Sequence, residues 1–188
     1  HATLNGDFIT RRLAELQPAS RSILAWASLI GTSFSFELIQ KLLSGEFDYD
    51  EDEELSPTTA ASSPTDESPI KKRFTQQEII AGLQAAIQGY IIITTEDDDK
   101  FRFAHDRYIQ AASALKERRH VHKMNYIIAC TLQKYYHAHQ SLMETTASFI
   151  CNSVDIIKQR VAHRQSFRMT LFESAQRAAE NGARPTAV

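Results

Sequence analysis

The chain is short of cysteine, of long apolar runs and of charge of one sign, and each shortage narrows what it can be. Its two cysteines, Cys130 and Cys151, form no CxxC pair, which fits reduced thiols in a cytosolic compartment. Apolar runs such as Ile23 to Ile30 are too short to span a bilayer, and no secretory signal opens the chain. A formal net charge of −2 offers no bulk basicity to nucleic acid or to an acidic membrane. Also missing are the GxxxxGK(S/T) and GxGxxG phosphate loops, GxSxG, HExxH and paired carboxylates. No phosphoacceptor box, a His followed by Glu and a Leu-Arg-Thr-Pro run, is present either. The chain by itself therefore reads as a non-catalyst. What remains is ordinary globular material, 43% hydrophobic and 23% charged, and 188 residues suffice to bury a core without staples. The start at His1 rather than Met and the abrupt end at Val188 predict a segment of a longer protein.

Charge is unevenly spread. From Glu46 to Glu67 there are nine acidic residues and no basic one, so the remainder carries +7. The stretch from Ser56 to Pro69 is rich in Ser, Thr and Pro and has no periodic apolar residue. Such a segment cannot offset its own ordering entropy, and a disordered insertion is expected over 48–70. It holds three Ser-Pro pairs, at Ser56, Ser63 and Ser68. The last continues Ile70-Lys71-Lys72, the pattern favoured by proline-directed kinases, and phosphate there would pair with the Lys71–Arg73 cluster. The plainer reading is a solvated linker.

On either side of the insertion the sequence is patterned. Leu13 and Leu16 predict a lead-in helix within residues 1–17, stopped before Pro18. Ser20 or Ser22 is expected to cap a helix carrying Ile23, Leu24, Ala27 and Leu29/Ile30, ended by Gly31. Phe36, Ile39, Gln40 and Leu43 continue into a second helix closed by Gly45. Thr75 and Glu78 form a capping box for a third, with Ile79, Ile80, Leu83, Ala86 and Ile87 on its face and Gly89 at its end. Then the period changes. Tyr90–Thr95 and Lys100–Ala104 predict a β-hairpin around an acidic turn, Glu96–Asp99, with Phe101, Phe103 and His105 on one face. Three helices followed by a hairpin is the order of a winged helix, so a winged-helix domain is expected over 18–104.

A helical arm is expected over 105–188, giving a mainly α chain with a small β-hairpin. Its stripes are Met124, Ile127, Ile128, Thr131 and Tyr135; Ala147, Ile150, Val154, Ile157 and Val161; and Phe172, Ala175 and Ala179. They predict a stack of antiparallel helices, or the start of a helical-repeat array, although no internal period is found. Two HxH pairs, His120/His122 and His137/His139, would suit a metal on a strand, but on a helix such rings diverge by roughly 200°. Solvated surface histidines are expected, and no metal site. For DNA binding, the third helix carries no Lys or Arg for phosphate contact, and the acidic wing would repel the backbone. Gln76, Gln77, Gln84 and Gln88 keep adenine readout open in principle.

The most informative run is Phe101-Arg102-Phe103-Ala104-His105-Asp106-Arg107, followed by Gln110-Ala111-Ala112. Read from the residues alone, a strand delivers His105 to a helix that Asp106 caps, and His105 is a half-buried junction residue. The run resembles the winged-helix and helical-arm segment of signalling ATPases of the STAND class. In particular it resembles the ATPase-like module of large fungal and bacterial hybrid sensor histidine kinases, which often also carry a protein-kinase-like region. There the run reads His-Asp-Arg, an apolar residue, Gln-Gln-Ala-Ala. The helix Ser22–Gly31 running into Phe34 also resembles that family's Ala-rich helix ending in Ile-Gly-x-x-Phe. This chain departs at Tyr108 and Ile109, where the family has a small apolar residue and Gln, and at Ser113, where Tyr is common.

The resemblance implies that His105 senses nucleotide, touching the diphosphate of ADP held by an upstream P-loop domain. Asp106 and Arg107 would then fix the junction. It further implies ATP/ADP with Mg in that upstream domain, none held by this segment, and partners in the upstream P-loop domain and the downstream helical and kinase domains of the same chain. Neither nucleic acid nor membrane is among them. The implied setting is a cytoplasmic phosphorelay, with an interaction scaffold or a DNA-binding regulator as the alternatives.

Overall fold

A computed structural model describes residues 6–47, 73–116 and 118–182. The whole of the expected insertion over 48–70, with Ser56, Ser63 and Ser68, lies outside the described residues, as do Lys71 and Lys72. Contacts divide the chain into two units, His1–Val121 and His122–Val188. The fold is mainly α with a small antiparallel sheet, as the pattern predicts.

In the first unit the helices are α1 (Gly6–Ala14), α2 (Pro18–Ile30), α3 (Phe36–Leu43), α4 (Gln76–Gln88) and α5 (Asp106–Ala114). Helix α2 is the centre: α4 and α5 pack against it, and α1 packs on α5. Residues from Ala19 to Ala27 are buried almost without interruption. The expected caps at Ser20 and Ser22 are both wrong. Pro18 stands at the first helical position, where its fixed φ and missing N–H cost nothing, so the helix begins earlier and swallows both serines. Ser20 instead donates from Oγ to the Gly82 carbonyl of α4 at 2.9 Å. Gly82 permits this approach: a Cβ there would lie 3.0 Å from both the Ala19 Cβ and the Ser20 backbone nitrogen. The apolar face of α4 is accordingly Ile79, Gly82, Leu83 and Ala86, while Ile80 is exposed. Both halves of the Thr75/Glu78 capping box form.

Three strands, β1 (Ser33–Ser35), β2 (Ile92–Thr94) and β3 (Lys100–Phe103), form one sheet in the order β1-β3-β2. Strand β1 is not apparent in the sequence, since three residues with one apolar side chain show no alternation. It pairs Phe34 with Phe101, and β2 pairs Ile92 with Phe103. The Phe34 ring lies 6.3 Å from that of Phe101 and 5.9 Å from that of Phe103, so β1 closes the apolar side of the hairpin. The acidic turn is also partly structural. Glu37 N–H donates to Asp99 Oδ1 at 3.2 Å, Phe36 N–H donates to the Asp99 carbonyl at 2.9 Å, and Ser35 Oγ bonds the same carboxylate. Asp99 thus caps α3 from across the sheet, with Ser35.

The second unit contains most of α6 (Arg118–Tyr136), a 3-10 turn at Gln140–Leu142, α7 (Met143–Asn152), α8 (Val154–Gln159) and α9 (Val161–Gly182). Met124, Ile127, Ile128 and Thr131 are buried as expected, whereas Tyr135 is exposed. The Ala147–Val161 stripe belongs to three helices rather than one. Ser153 breaks it, with its Oγ donating back to the Phe149 carbonyl at 2.8 Å, and Arg160 breaks it again in extended conformation. The third stripe is also misplaced: Phe172 is 67% exposed, and α9 buries Phe167 and Thr170 instead. Phe167 packs edge-on against Tyr126, ring centres 6.3 Å apart, and Thr170 Oγ1 donates to Gln133 Oε1 at 2.6 Å.

The close approach at Gly82 gives a direct test. Gly82→Ala improves intrinsic helix propensity by about 1 kcal/mol, yet it must push α2 and α4 apart. We expect a net loss of ~1–3 kcal/mol in chemical denaturation, whereas Ala81→Gly, on the exposed side of α4, loses only the propensity.

Candidate functional site: the strand-to-helix junction at His105

Strand β3 is held on both sides at its end. Phe103 N–H donates to the Thr32 carbonyl at 3.1 Å and Ala104 N–H to the Ile91 carbonyl at 2.9 Å. The next residue, His105, stays extended, and its ring Nδ1 accepts the Arg107 N–H at 3.1 Å. Its carbonyl accepts the Tyr108 N–H at 2.9 Å. His105 is therefore the N-cap of α5. The expectation that Asp106 caps is corrected: Asp106 is the first helical residue, where its carboxylate favours the positive end of the helix dipole. His105 is also exposed rather than half-buried, because the chain turns at Ala104 and the ring leaves the face on which Phe101 and Phe103 are buried.

This cap decides the ring's chemistry. A nitrogen that accepts a hydrogen bond carries no proton, so the neutral ring bears its proton on Nε2. Among the described residues nothing accepts from Nε2. The junction thus presents one oriented N–H donor to solvent, beside the exposed Arg107. Behind it, Tyr108, Ala111 and Ala112 are buried, and α5 packs through them on α1 and α2. Tyr108, one of the departures from the resembled pattern, serves as packing.

Opposite this junction lies the end of α4. Tyr90 N–H donates to the Ile87 carbonyl at 2.9 Å and Ile91 N–H to the Ala86 carbonyl at 3.0 Å, the paired bonds of a Schellman motif. In that motif the residue after the cap is left-handed and usually glycine. Here Gly89 keeps an ordinary φ of −74°, and Tyr90 takes the left-handed position at φ 54°. A tyrosine in that conformation costs on the order of 1–2 kcal/mol, and its ring is 75% exposed. Arg12 donates to the Gly89 carbonyl at 2.7 Å and fastens the same turn. The sequence gives only half of this: Gly89 marks a helix end, but not that the neighbouring tyrosine bears the strain.

Two further groups escape sequence reasoning because their partners are distant in the chain. Lys116 is 9% exposed, and its Nζ donates to Ser28 Oγ, 88 residues away. Burial pushes its ammonium down to about 8 from the usual 10.5. In the second unit Tyr126 and His163 Nδ1 share a hydrogen bond of 2.7 Å, with the Cys130 sulfur 3.7 Å from the same nitrogen. Burial raises the Cys130 thiol to about 11, and Tyr126 is raised for the same reason. A neutral, buried thiol is a poor nucleophile, so this is a packed polar cluster rather than a Cys/His catalytic pair. Of the HxH histidines, His120 is buried, contrary to expectation; His122 Nδ1 lies 3.2 Å from the Asn152 carbonyl, and His137 and His139 are exposed. Among the described residues no group of three or more His, Cys, Asp or Glu is placed to hold a metal ion. No helix there is long and apolar enough to cross a membrane.

Comparison with known proteins gives a partial likeness. The chain is 29% identical over 101 residues to the peroxide stress-activated histidine kinase of Schizosaccharomyces pombe. The match covers 54% of this chain and 3% of that protein. No family model matches the chain, and no solved structure does.

Lys116 carries a prediction with a definite sign. Unfolded, the amine binds its proton up to about 10.5; folded, it releases it near 8. Between those values the unfolded state holds more protons, so stability rises with pH across that window. Below pH 8 the buried cation is a constant burden. Denaturation midpoints of Lys116→Met should exceed wild type at pH 7 and lose the rise between pH 8 and 10.5.

Proposed function

We propose that this chain is a non-catalytic regulatory segment of a multidomain signalling histidine kinase. In this reading its first unit is a winged helix that closes over nucleotide held by a separate P-loop domain of the same protein, with His105 as the sensor. The observation that carries it is the capped His105 ring. Its Nδ1 is spent on the start of α5, and its Nε2–H faces outward at a fixed place. The diphosphate of a bound ADP supplies anionic oxygens that accept from such a donor, and Arg107 adds positive charge beside it. The helix order α2-α3-α4 followed by the β2–β3 hairpin, with β1 beside β3, supports the winged-helix reading. The partial likeness to a histidine kinase supports the signalling setting, and from it follow the phosphorelay and the cytoplasmic location that we propose. Nucleotide and Mg belong to the neighbouring domain in this proposal, and none of the residues of this segment performs chemistry on them.

A DNA-binding role is disfavoured by specific residues. The exposed side of α4 presents Gln76, Gln77, Ile80, Gln84 and Gln88 without a cation, and the wing ends in four acids. No membrane contact is proposed.

The test must separate sensing from capping, since His105→Ala removes both. Asparagine caps as well as any residue but lacks the imidazole N–H. In the parent protein carrying its nucleotide-binding domain, His105→Asn should leave the melting temperature of the segment near wild type. It should release bound ADP about tenfold faster, as loss of one charge-assisted hydrogen bond implies. Wild type without nucleotide, or release unchanged in the variant, would make His105 a cap only and leave a scaffold role.

A further inference from the structure

Tyr90 is the most conspicuous residue of the first unit that its own fold does not use. The ring is 75% exposed. Among the described residues it makes no side-chain hydrogen bond and no ring contact, and only its backbone is engaged, through the Ile87 carbonyl. At this place in a Schellman turn glycine is the low-strain choice, yet the glycine stands one position earlier, at φ −74°, where a Cβ would lie 3.2 Å from the Ala85 carbonyl oxygen. The fold thus bears a left-handed tyrosine that contributes little to its core. Strain of this kind points to use by something outside the fold.

The register says where that something lies. Ile92 pairs with Phe103, and Ala104 N–H donates to the Ile91 carbonyl. Tyr90 immediately precedes, and His105 immediately follows, the residues joined by that last bond. The exposed phenol ring and the exposed imidazole therefore share the edge of the sheet at which the hairpin opens. Arg12, bonded to the Gly89 carbonyl, and Arg107 flank that edge with positive charge. An aromatic face, an N–H donor and flanking guanidinium groups match the two ends of a nucleoside diphosphate, one flat and one anionic.

We infer that Tyr90 is a second nucleotide contact, its ring packing against the nucleoside part of the ligand whose phosphates meet His105. The inference rests on the nucleotide-sensing reading of His105 and adds to it a residue and a ligand moiety. Tyr90 holds no cofactor alone; it completes a surface that the neighbouring domain presents nucleotide to.

Tyr90→Gly, Tyr90→Phe and His105→Asn test it with two readouts. In the 188-residue chain, Tyr90→Gly should raise the melting temperature by about 2–4 °C, because the left-handed strain is gone. In the parent protein loaded with a fluorescent ADP analogue, the same variant should release nucleotide about tenfold faster, the scale of one lost aromatic stack. Tyr90→Phe, which keeps the ring, should match wild type in both. If Tyr90→Gly releases at the wild-type rate while His105→Asn accelerates release, the Tyr90 role is overturned and the sensor reading stands. A lowered melting temperature for Tyr90→Gly would make Tyr90 structural and also overturn it. If His105→Asn changes nothing, or no analogue binds, the sensor reading falls and this inference with it.

Discussion

Strand β3 is the constraint on which the first unit depends. It is four residues long, paired on both edges, and a helix cap sits at each end of it. At its start Asp99 reaches across the sheet to the first turn of α3; at its end His105 opens α5. The distance between the two caps is fixed by extended backbone at about 3.3 Å per residue. Helices α3 and α5 are therefore not independently placed. A shift of β3 by one residue would uncap both and turn Phe101 and Phe103 away from Phe34. The two phenylalanines hold the register, and the register holds the caps.

The same bar explains why so much of this unit could be read from the sequence and why some could not. The hairpin was legible because Phe101 and Phe103 alternate with Lys100 and Arg102, and the start of α4 because Thr75 and Glu78 form a local box. Both signals are short in range. Strand β1 is hidden because what holds it is Phe34 meeting Phe101 and Phe103, contacts between residues far apart in the chain. The start of α2 is ambiguous in the sequence for a local reason: two serines offer themselves as caps, and Pro18 outranks them. In the second unit the apolar period runs on past Ser153 and Arg160, so the sequence shows one stripe where three helices exist. Periodicity records which residues are apolar, not where the backbone turns.

The junction itself was located by its residues, whereas its chemistry was not. Phe-x-Phe-x-His-Asp places a strand end against a helix start, yet both His and Asp can cap, and choosing between them needs backbone geometry. The difference matters chemically. Had Asp106 capped, the imidazole would be a free rotor with either nitrogen protonated. With His105 as the cap, one nitrogen is committed inward and the other becomes an oriented donor.

That commitment also links the ring mechanically to the helix. The bond orienting the imidazole is the bond that starts α5, and α5 is anchored on α2 through Tyr108, Ala111 and Ala112. A ligand that holds the Nε2–H therefore pulls on a ring that has little freedom of its own, and the pull passes to α5. Packed interfaces of this kind move as bodies rather than bend. In the proposed reading, gain or loss of a diphosphate at His105 biases the position of α5 together with α2, not the rotamer of one side chain. The bias cannot exceed the difference in binding free energy between the two positions. A single charge-assisted hydrogen bond, worth about 1.5–3 kcal/mol, moves a balanced equilibrium by roughly one to two powers of ten and no more. A switch needing a sharper response requires more contacts on the same edge, and the exposed, strained Tyr90 is where the fold has one to give.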